Sequence, residues 1–453
     1  MNNPHYYGFA MTVLCAATAA PLFADGNLPR RALSEATELS IPRSGELTPA
    51  EREMARIAWA YFAKNVQPDT GLANAVNAFP SATLWDMASY LAAVVSADEL
   101  GLIDAVETDQ RLSTALSTIQ HLQLFRQECP NKVYNTATAD PADYRNNPGE
   151  IGCSAIDMGR LLIWLKIVEQ RHPEFGETIA RAIRRWNMCK IVVSPGVLYG
   201  TAIAEDGATR HLQEGRLGYE EYAALGFSLW GFDVTEAKRA APAATLWLYD
   251  VEVPYDSRDP RVLGAHNYVV TESYALLGLE FGWDALAASD DTRWIIPAAN
   301  NVYEAQARRY KTTGILTART EHQLSEAPYF VYDTLFSDGI PWATITETGT
   351  LVPEQSGVAT KGALGLWALW KTHYTDILFD HVRTHYDPAG GFYEGVYEDG
   401  RGAIETRTAN NNGIILETLL FKETGPLVRP QKVSTTWSRS EDHARSRCLP
   451  RPG

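Results

Sequence analysis

Four acidic residues stand at matching places in the chain, each in the first turn of a stretch with the pattern of an apolar helix. They are Asp86, Asp157, Glu221 and Glu272. Cleavage of a glycosidic bond needs one carboxylic acid to protonate the leaving oxygen, and usually a second carboxylate to activate water or attack the anomeric carbon. Carboxylates held close together raise the pKa of at least one of them, which keeps it protonated near neutral pH. The pattern therefore favours acid/base chemistry on a sugar.

Within this set the predicted proton donor is Glu221, which keeps the shared register and lies between two tyrosines. Asp157 is the predicted base or water-positioning residue, and Glu272 is the next catalytic candidate. Glu220, one residue out of register, is expected to be solvated or to lie on a neighbouring wall. A single acid in a first turn is also favoured by the helix dipole alone, so the hypothesis depends on the recurrence of all four.

Aromatic and amide side chains close to these acids are predicted to hold the substrate. Flat rings can stack on pyranose faces, and side-chain donors and acceptors can bind hydroxyl groups. The predicted substrate-binding residues are Trp85, Asp86, Tyr144, Arg145, Tyr219, Tyr274, Asn410, Asn411 and Asn412. Aromatic residues also fill cores and asparagines are common in loops, so structural roles remain an alternative. Glu394 and Glu398 are secondary catalytic candidates, although acids in hairpins are more often turn residues.

The acids are positioned by helices that recur along the chain. Lys361 and Asn411 occupy the same register as the four acids, and the six positions are separated by 50 to 89 residues. Such an interval accommodates one pair of helices with its connections. Six pairs are what an all-α (α/α)6 barrel requires, with the first turns at a common mouth. The sequence also predicts short β-hairpin insertions at 197–215 and 391–405, and strand-like pieces at 314–320 and 329–332. An open α-solenoid is the alternative, but such arrays keep tighter periods.

The two ends of the chain differ in composition from its centre. Residues 1–25 are apolar and rich in small residues, which is typical of a signal peptide. We expect a polar leader at 26–47, the folded domain at 48–425 and a flexible basic tail at 426–453. After the leader no apolar run is long enough to span a membrane. The predicted location is therefore the periplasm or the exterior of the cell.

Charge and cysteines narrow the range of partners. The net charge of -15 argues against a nucleic acid or an anionic membrane surface as the main partner. Cys129 and Cys153 flank one polar loop and are expected to form a disulfide in an oxidising compartment. Neither a CxxC motif nor zinc-like Cys/His spacing occurs, so we expect no metal, and no cofactor is predicted. The expected partner is an oligosaccharide or polysaccharide.

The start of the folded domain resembles a known family. The segments that carry the resemblance are Tyr61-Phe62, Asn65, Gln67 to Leu72, Thr83 to Asp86 and Ala88 to Ala93. They look like a bacterial domain family of unassigned function that occurs in envelope proteins. They are more distantly similar to the glucoamylase-like glycosidases that include the endo-acting β-1,2-glucanases. The resemblance extends over most of 48–425, and it implies an (α/α)6 barrel and a glycoside hydrolase acting on a bacterial glucan or exopolysaccharide.

Two other functions remain open at this stage. A polysaccharide lyase of the same fold would use Tyr or His to abstract a proton next to a uronate. The candidates are His322, near Tyr329 and Tyr332, and His266, which precedes Asn267 and Tyr268. Its basic residues could be Arg145, Arg319 and Lys361. A non-catalytic glycan-binding envelope protein would keep the aromatic residues without needing coupled, buried carboxylates. The chain has no G-x-S-x-G, P-loop or HExxH motif, which excludes the chemistry that those motifs signal.

Overall fold

The computed structural model describes residues 41–430, except residues 194, 195, 205, 215, 241, 264 and 265. The predicted signal peptide, leader residues 26–40 and tail residues 431–453 lie outside the described residues.

Helices form most of the regular structure, as the sequence predicts. The helices are α1 (Pro49–Asn65), α2 (Leu84–Glu99), α3 (Ala105–His121), α4 (Ala155–Arg171), α5 (Gly176–Arg184), α6 (Tyr219–Ser228), α7 (Pro260–Leu263), α8 (Thr271–Leu276), α9 (Trp283–Ala287), α10 (Ile295–Thr313), α11 (Thr360–Leu369), α12 (His373–Val382) and α13 (Ala409–Thr424). A π-helical segment, Leu277–Phe281, continues α8.

Short antiparallel strands form small sheets between the helices. The strands are β1 (Ser81–Thr83), β2 (Leu124–Phe125), β3 (Cys129–Pro130), β4 (Val133–Asn135), β5 (Pro141–Ala142), β6 (Val192–Val193), β7 (Val197–Ile203), β8 (Thr209–Gln213), β9 (Ala243–Leu248), β10 (Val251–Asp256), β11 (His322–Gln323), β12 (Phe330–Asp333), β13 (Phe336–Ser337), β14 (Ile340–Pro341), β15 (Thr344–Ile345), β16 (Gly357–Ala359), β17 (Tyr386–Asp387), β18 (Gly391–Phe392), β19 (Gly395–Tyr397) and β20 (Ala403–Ile404). Each described sheet has two or three strands.

Six helices pack side by side in the order α2, α4, α6, α8, α11 and α13, and α13 returns to contact α2. These helices are buried on nearly every face, as apolar helices in the centre of a protein are. The helices α1, α3, α5, α10 and α12 lie against them. In α3 the buried residues form one stripe, so this layer is amphipathic. Helices that are apolar on all sides thus lie inside, and amphipathic helices lie outside.

The starts of the inner helices are fixed by their own side chains. Thr83 Oγ1 accepts a hydrogen bond from the Asp86 backbone N–H at 3.2 Å, and the Asp86 carboxylate accepts one from the Thr83 N–H at 3.0 Å. This reciprocal pair is a capping box. Ser154 and Thr408 cap α4 and α13 by the same kind of bond. The predicted register is confirmed, since each of its six positions lies in the first turn of an inner helix.

Glycines let α4 and α6 approach each other closely. A Cβ atom on Gly159 would lie 2.4 Å from the Cα of Ala223, and one on Gly226 would lie 2.1 Å from the carbonyl oxygen of Gly159. Both distances are far below a van der Waals contact. Larger residues at these positions would therefore push apart two neighbours of the inner layer.

Two predicted hairpins are present and one helix is replaced. Strands β7 and β8 pair within the first predicted hairpin, and β19 and β20 within the second. Between α6 and α8 the described residues contain the hairpin β9–β10 instead of a long outer helix, so the prediction of six complete helix pairs is wrong there. Tyr249 and Asp250 both have positive φ angles, 48° and 60°, which is the geometry of a two-residue hairpin turn. The predicted strand-like piece at 329–332 corresponds to β12, Phe330–Asp333. The piece predicted at 314–320 forms no strand.

Residues close to both predicted boundaries pack on the helices. Arg43 donates to the carbonyl oxygen of Trp370 at 3.0 Å, and Leu47 and Leu427 are buried. Cys129 and Cys153 are joined by a disulfide, with their Cα atoms 6.2 Å apart. Within the described residues, no helix combines the length and apolar character that crossing a bilayer requires.

Candidate functional site

The first turns of the inner helices meet through a chain of polar contacts. The indole N–H of Trp85 donates to Asn410 Oδ1 at 2.9 Å, and Asn410 Nδ2 donates to Glu272 Oε1 at 2.9 Å. Glu272 also forms an ion pair with Lys361. The ring of Tyr219 lies edge-on to Trp85, with the centroids 5.6 Å apart. Side chains from α2, α6, α8, α11 and α13 therefore converge, and we call this region the mouth.

Asp157 is partly exposed in the first turn of α4, the helix that packs between α2 and α6. Burial raises its pKa to about 7, and the neighbouring carboxylate of Glu214 raises it as well, against the hydroxyl of Ser154. Glu214 is held in place by the start of α4, because its Oε2 accepts from the Ala155 N–H at 2.6 Å. The negative charge of Asp86 adds a smaller effect in the same direction. Asp157 therefore carries a proton for much of the neutral pH range.

Glu321 is a second partly exposed carboxylate of the mouth, and the sequence did not single it out. It accepts hydrogen bonds from the hydroxyl of Tyr219 and, at 2.6 Å, from Thr320 Oγ1. Burial raises its pKa, Glu272 raises it further, and Lys361 opposes them. The residue lies outside the helix starts, between α10 and β11, so the repeat gave no signal for it.

The hydroxyl of Tyr332, on β12, connects these two carboxylates electrostatically. Burial raises the pKa of Tyr332 to about 12, and Glu321 and Asp157 both raise it further, while Arg216 lowers it. The ring is partly exposed. Both carboxylates therefore lie within electrostatic reach of the Tyr332 hydroxyl. The sequence pointed to Tyr332 only beside His322, in the lyase alternative.

Glu221, the predicted acid, is placed differently. Only 4% of the residue is exposed, and its Oε2 accepts a hydrogen bond from the Gly218 N–H at 2.7 Å, which caps α6. Burial raises its pKa, and Glu220 raises it further. Glu220 is buried rather than solvated, with 5% of the residue exposed. Its carboxylate accepts from Gln213 at 2.8 Å and pairs with Arg258 at 3.4 Å. The contacts of Glu221 therefore do not join those of the mouth.

The three predicted asparagines divide into one at the mouth and two in the core. Asn411 Oδ1 accepts from the Lys361 N–H at 3.1 Å, and Asn412 Oδ1 accepts from the Phe392 N–H at 2.8 Å. Both are fully buried. Only Asn410 has its amide among the groups of the mouth. Asn411 and Asn412 instead accept hydrogen bonds from backbone N–H groups in the core.

The remaining predicted binding residues lie at different depths. Asp86 is 8% exposed and caps its own helix. Tyr274 is 1% exposed, and its hydroxyl has no hydrogen-bond partner among the described residues. Tyr144 is 62% exposed and Arg145 beside it is also exposed, on the loop after β5. The hydroxyl of Tyr144 is within electrostatic reach of Asp157.

A fully buried charge network lies under the mouth. Arg160 pairs with Glu280 at 3.1 Å and with Glu417 at 2.6 Å, and all three side chains are 0% exposed. Burial raises the pKa of Glu280 to about 8, against the effect of Arg160. The guanidinium carbon of Arg160 lies 4.9 Å from the ring centroid of Trp85. A cation therefore supports the indole ring from below.

The secondary acids and the histidines of the lyase hypothesis are already engaged. Glu398 binds Arg309 at 2.7 Å and Arg319 at 2.8 Å. His322 is 1% exposed between two backbone carbonyls, and His266 pairs with a neighbouring aspartate at 2.6 Å.

Two further observations concern the hairpin acid Glu394 and metal binding. Glu394 is 2% exposed and accepts from the Gln323 N–H at 3.0 Å. In the part of the chain that the structure describes, no group of three or more His, Cys, Asp or Glu side chains is arranged to hold a metal ion.

Solved structures share this fold at low sequence identity. A protein from Bacteroides caccae with the provisional name glucoamylase matches with a TM-score of 0.61 at 12% identity, over 84% of this chain and 94% of the other. The endo-beta-1,2-glucanase from Chitinophaga pinensis, solved with sophorotriose and glucose, has a TM-score of 0.59 at 13% identity, over 84% and 93%. Cellobiose 2-epimerase from Bacillus thermoamylovorans has a TM-score of 0.50 at 10% identity, over 82% and 97%. These likenesses establish a fold of the glucoamylase-like class.

Comparison at the level of sequence gives the family. No curated protein matches the chain. A family model described as "Protein of unknown function (DUF3131)" matches residues 53–425, which is most of the sequence. The resemblance seen in the first helices therefore holds over the whole folded domain, and the chain belongs to the DUF3131 family.

Proposed function

We propose that the protein is a glycoside hydrolase that cleaves a glucan at the mouth of an (α/α)6 barrel. The observation that carries the proposal is the pair Asp157 and Glu321, two partly exposed carboxylates that both act electrostatically on Tyr332 and whose surroundings differ. Glycosidases need two carboxyl groups in different protonation states, and such states are set by the environment of each group.

Asp157 is the proton donor in this proposal. Its pKa of about 7 results from burial and from the charge of Glu214, so about half of the Asp157 carboxyl groups carry a proton at pH 7 and most do below it. It gives its proton to the glycosidic oxygen as the bond between that oxygen and the anomeric carbon breaks. This role differs from the base role that the sequence suggested, because the repeat could not reveal the adjacent Glu214.

Glu321 supplies the second carboxylate, which in its ionised form activates the water that bonds to the anomeric carbon, or attacks that carbon itself. Burial and Glu272 raise its pKa, and the groups that bind it oppose that rise. It accepts two hydrogen bonds, from Tyr219 and Thr320, and Lys361 is close enough to favour its charged form. Hydrogen bonds to a carboxylate stabilise its charge and fix its orientation. Tyr219 thus joins Glu321 to Trp85, because its hydroxyl donates to Glu321 and its ring lies edge-on to Trp85.

Glu272 and its neighbours hold the substrate rather than react with it. The Glu272 carboxylate is occupied by Lys361 and by the Asn410 amide, which also fixes the indole of Trp85. Trp85 remains partly exposed and presents a ring for stacking on a pyranose. Glu221 is not assigned a catalytic role, because its carboxylate caps α6.

The barrel and the export of the protein belong to the same proposal. The closed order of contacts among six inner helices, with amphipathic helices outside, supports an (α/α)6 arrangement in which β9–β10 stands in for one outer helix. The Cys129–Cys153 disulfide fits an oxidising compartment such as the periplasm or the exterior. A glucan is favoured as substrate because the endo-beta-1,2-glucanases share the fold.

The test uses purified protein and a panel of soluble β-1,2-, β-1,3- and β-1,4-glucans and of uronate polymers. New reducing ends from one glucan are expected with the wild type, and their loss in Asp157→Asn and Glu321→Gln. Glu221→Gln serves as the control, because an amide oxygen can still accept the Gly218 N–H, and it should keep most of the activity.

Three results would contradict the proposal. An unsaturated product from a uronate polymer would indicate the lyase, and binding of a glycan without cleavage would indicate the non-catalytic alternative. Loss of activity in Glu221→Gln with near-normal turnover in Asp157→Asn would restore the assignment that the sequence suggested.

A further inference from the structure

The hairpin β9–β10, which stands where an outer helix was expected, has two edges that differ. The edge of β10 that faces away from β9 is capped by side chains. Asn301 Nδ2 donates to the carbonyl oxygen of Glu252 at 2.8 Å, and Asn267 Nδ2 donates to that of Asp256 at 3.0 Å. Pro254 lies between these two residues of β10 and has no N–H that needs an acceptor. A further strand could therefore not pair with β10 without displacing the two asparagines.

On β9 the outward-pointing backbone groups have no such caps. The residues on either side of the two-residue turn exchange hydrogen bonds, and every second pair along the ladder does the same. The pair Thr245 and Pro254 falls between these bonded pairs, as it must for a proline without an N–H. The N–H and C=O groups of Ala243, Thr245 and Trp247 therefore point away from β10. None of these groups forms a hydrogen bond with another described residue.

The sequence of β9 leaves this edge unprotected. The strand Ala243–Leu248 contains no charged residue and no proline, and its register with β10 runs without a bulge. The side chains at 243, 245 and 247 are exposed, and Trp247 is 70% exposed. Charges, prolines and bulges are the features that normally keep an edge strand from pairing with another chain. We call Ala243, Thr245 and Trp247, with their outward backbone groups, the open edge.

The open edge is complementary to itself. When a second β9 strand lies antiparallel beside it, about a two-fold axis at Thr245, position 243 of each copy faces position 247 of the other. The three outward-pointing residues then all fall on hydrogen-bonded positions, where each pair exchanges two bonds. The same alignment places the large ring of Trp247 beside the small side chain of Ala243 of the second copy, on one face of the sheet. A shift by one residue would pair none of the outward-pointing groups with each other.

We propose that the open edge is a dimer interface, at which the β9 strands of two copies of this chain pair antiparallel in one four-stranded sheet. The net charge of -15 disfavours association in general, and an uncharged strand is a place where two copies can approach. Pairing stops at two copies, because the two-fold axis uses both open edges and the outer strands of the joined sheet are the capped β10 strands. The inference goes beyond the proposed function and does not depend on it.

The experiment follows the mass of the purified protein by analytical ultracentrifugation, from dilute to concentrated solution. The wild type should pass from monomer to dimer. Thr245→Pro removes the N–H at the centre of the interface without breaking a bond of the hairpin, and it should raise the Kd of the dimer by at least about tenfold. Trp247→Lys, which places a cation of each copy in the interface, should do the same. Val106→Lys is the matched control, since Val106 is 77% exposed on α3 and the change adds the same charge.

Cysteine variants test the alignment of the two strands. Under mild oxidation Thr245→Cys should form a disulfide-linked dimer, because facing residues in such a pair have Cα atoms about 5.5 Å apart, within the range of a disulfide. Ala243→Cys should not link to itself, because it faces position 247 of the other copy. A mixture of Ala243→Cys and Trp247→Cys should link the two variants to each other.

The substituted side chains are exposed, so the variants are expected to fold, and circular dichroism verifies this. A wild type that stays monomeric at every concentration refutes the proposal, and a strand of a different protein then becomes the candidate occupant of the open edge. A dimer whose Kd is unchanged in both Thr245→Pro and Trp247→Lys also refutes it, because the two copies then meet elsewhere. Self-linking of Ala243→Cys as readily as of Thr245→Cys would contradict the pairing about Thr245.

Discussion

The charge of Glu214 should set the upper pH limit of activity through Asp157. In Glu214→Gln the amide oxygen can still accept from the Ala155 N–H, so α4 keeps its cap, but the negative charge beside Asp157 is removed. The pKa of Asp157 then falls. Because the proposed reaction needs the protonated acid, activity should decline at a lower pH than in the wild type.

The size of the effect follows from the geometry around Ser154. Its Oγ lies 3.3 Å from Glu214 Oε2 and 3.2 Å from the Asp157 N atom, so the two carboxyl groups are close neighbours. At a separation of about 6 Å and an effective dielectric constant of about 20, Coulomb's law gives about 2.8 kcal/mol, or about two pH units, as an upper value. Asp157 is partly exposed, and burial is the larger cause of its raised pKa. We therefore expect a change of about one pH unit.

The assay is the pH dependence of kcat/KM for release of reducing ends. The alkaline limb should lie near pH 7 in the wild type, where Asp157 titrates, and about one unit lower in Glu214→Gln. At pH 7 this lowers activity by about fivefold, while activity at low pH stays unchanged. Asp104→Asn is the matched control, because it makes the same change at the cap of α3, away from the mouth. An alkaline limb that stays in place in Glu214→Gln, or moves equally in the control, would refute the role given to Asp157.

Three further predictions concern stability, measured by thermal and denaturant unfolding. The raised pKa of Asp157 means that wild-type stability is greatest below the pKa of this aspartate in the unfolded chain and is lost as the pH rises through about 7. A rise of about 3 units corresponds to about 4 kcal/mol, which the partial exposure of Asp157 reduces, so Asp157→Asn should match the wild type at pH 4 and exceed its stability by about 2 to 4 kcal/mol at pH 8. Equal stability at both values would contradict this. Glu398→Gln should cost about 3 kcal/mol, because it removes the carboxylate that the buried Arg309 and Arg319 share and leaves only Arg319 with another, Asp333. Asp399→Asn in the adjacent exposed turn should cost almost nothing, and neither change should alter kcat. Cys129→Ser opens a disulfide that spans 24 residues and should cost about 3 kcal/mol, and a reductant should lower the Tm of the wild type by more than it lowers that of the variant.

Local signals were sufficient to place the helices. The first turn near Asp86 follows from a capping threonine and an apolar stripe, and both act between residues close in sequence. The same kind of cap at Ser154 and Thr408 made the repeat visible. The repeat could not predict that β9–β10 takes the place of an outer helix. The number of residues between two inner helices does not determine whether the chain between them forms a helix or a hairpin.

The catalytic roles of the acids stay predictions, whereas their places can be compared with the structure. The register placed Asp157, Glu221 and Glu272 in first turns of inner helices, and the carboxylate of Glu221 caps its own helix. Which face of a first turn points inward depends on the rotation of the helix about its axis, and neighbouring elements set that rotation. Glu321 stayed unnoticed because it belongs to an irregular segment.

The sequence by itself determined the helical class, the positions of the inner helix starts, the disulfide candidates and the family resemblance, because these depend on short-range patterns and on residue types. Only the tertiary structure decided which side chains surround Asp157 and Glu321 and that these surroundings raise the pKa of both groups. The pKa of Asp157 depends on burial and on Glu214, which lies far away in the chain but beside it in space. The surroundings of Glu321 likewise combine Tyr219, Lys361 and Glu272 from three different helices. Electrostatic interactions act through distance in space, which is fixed only when the helices are packed.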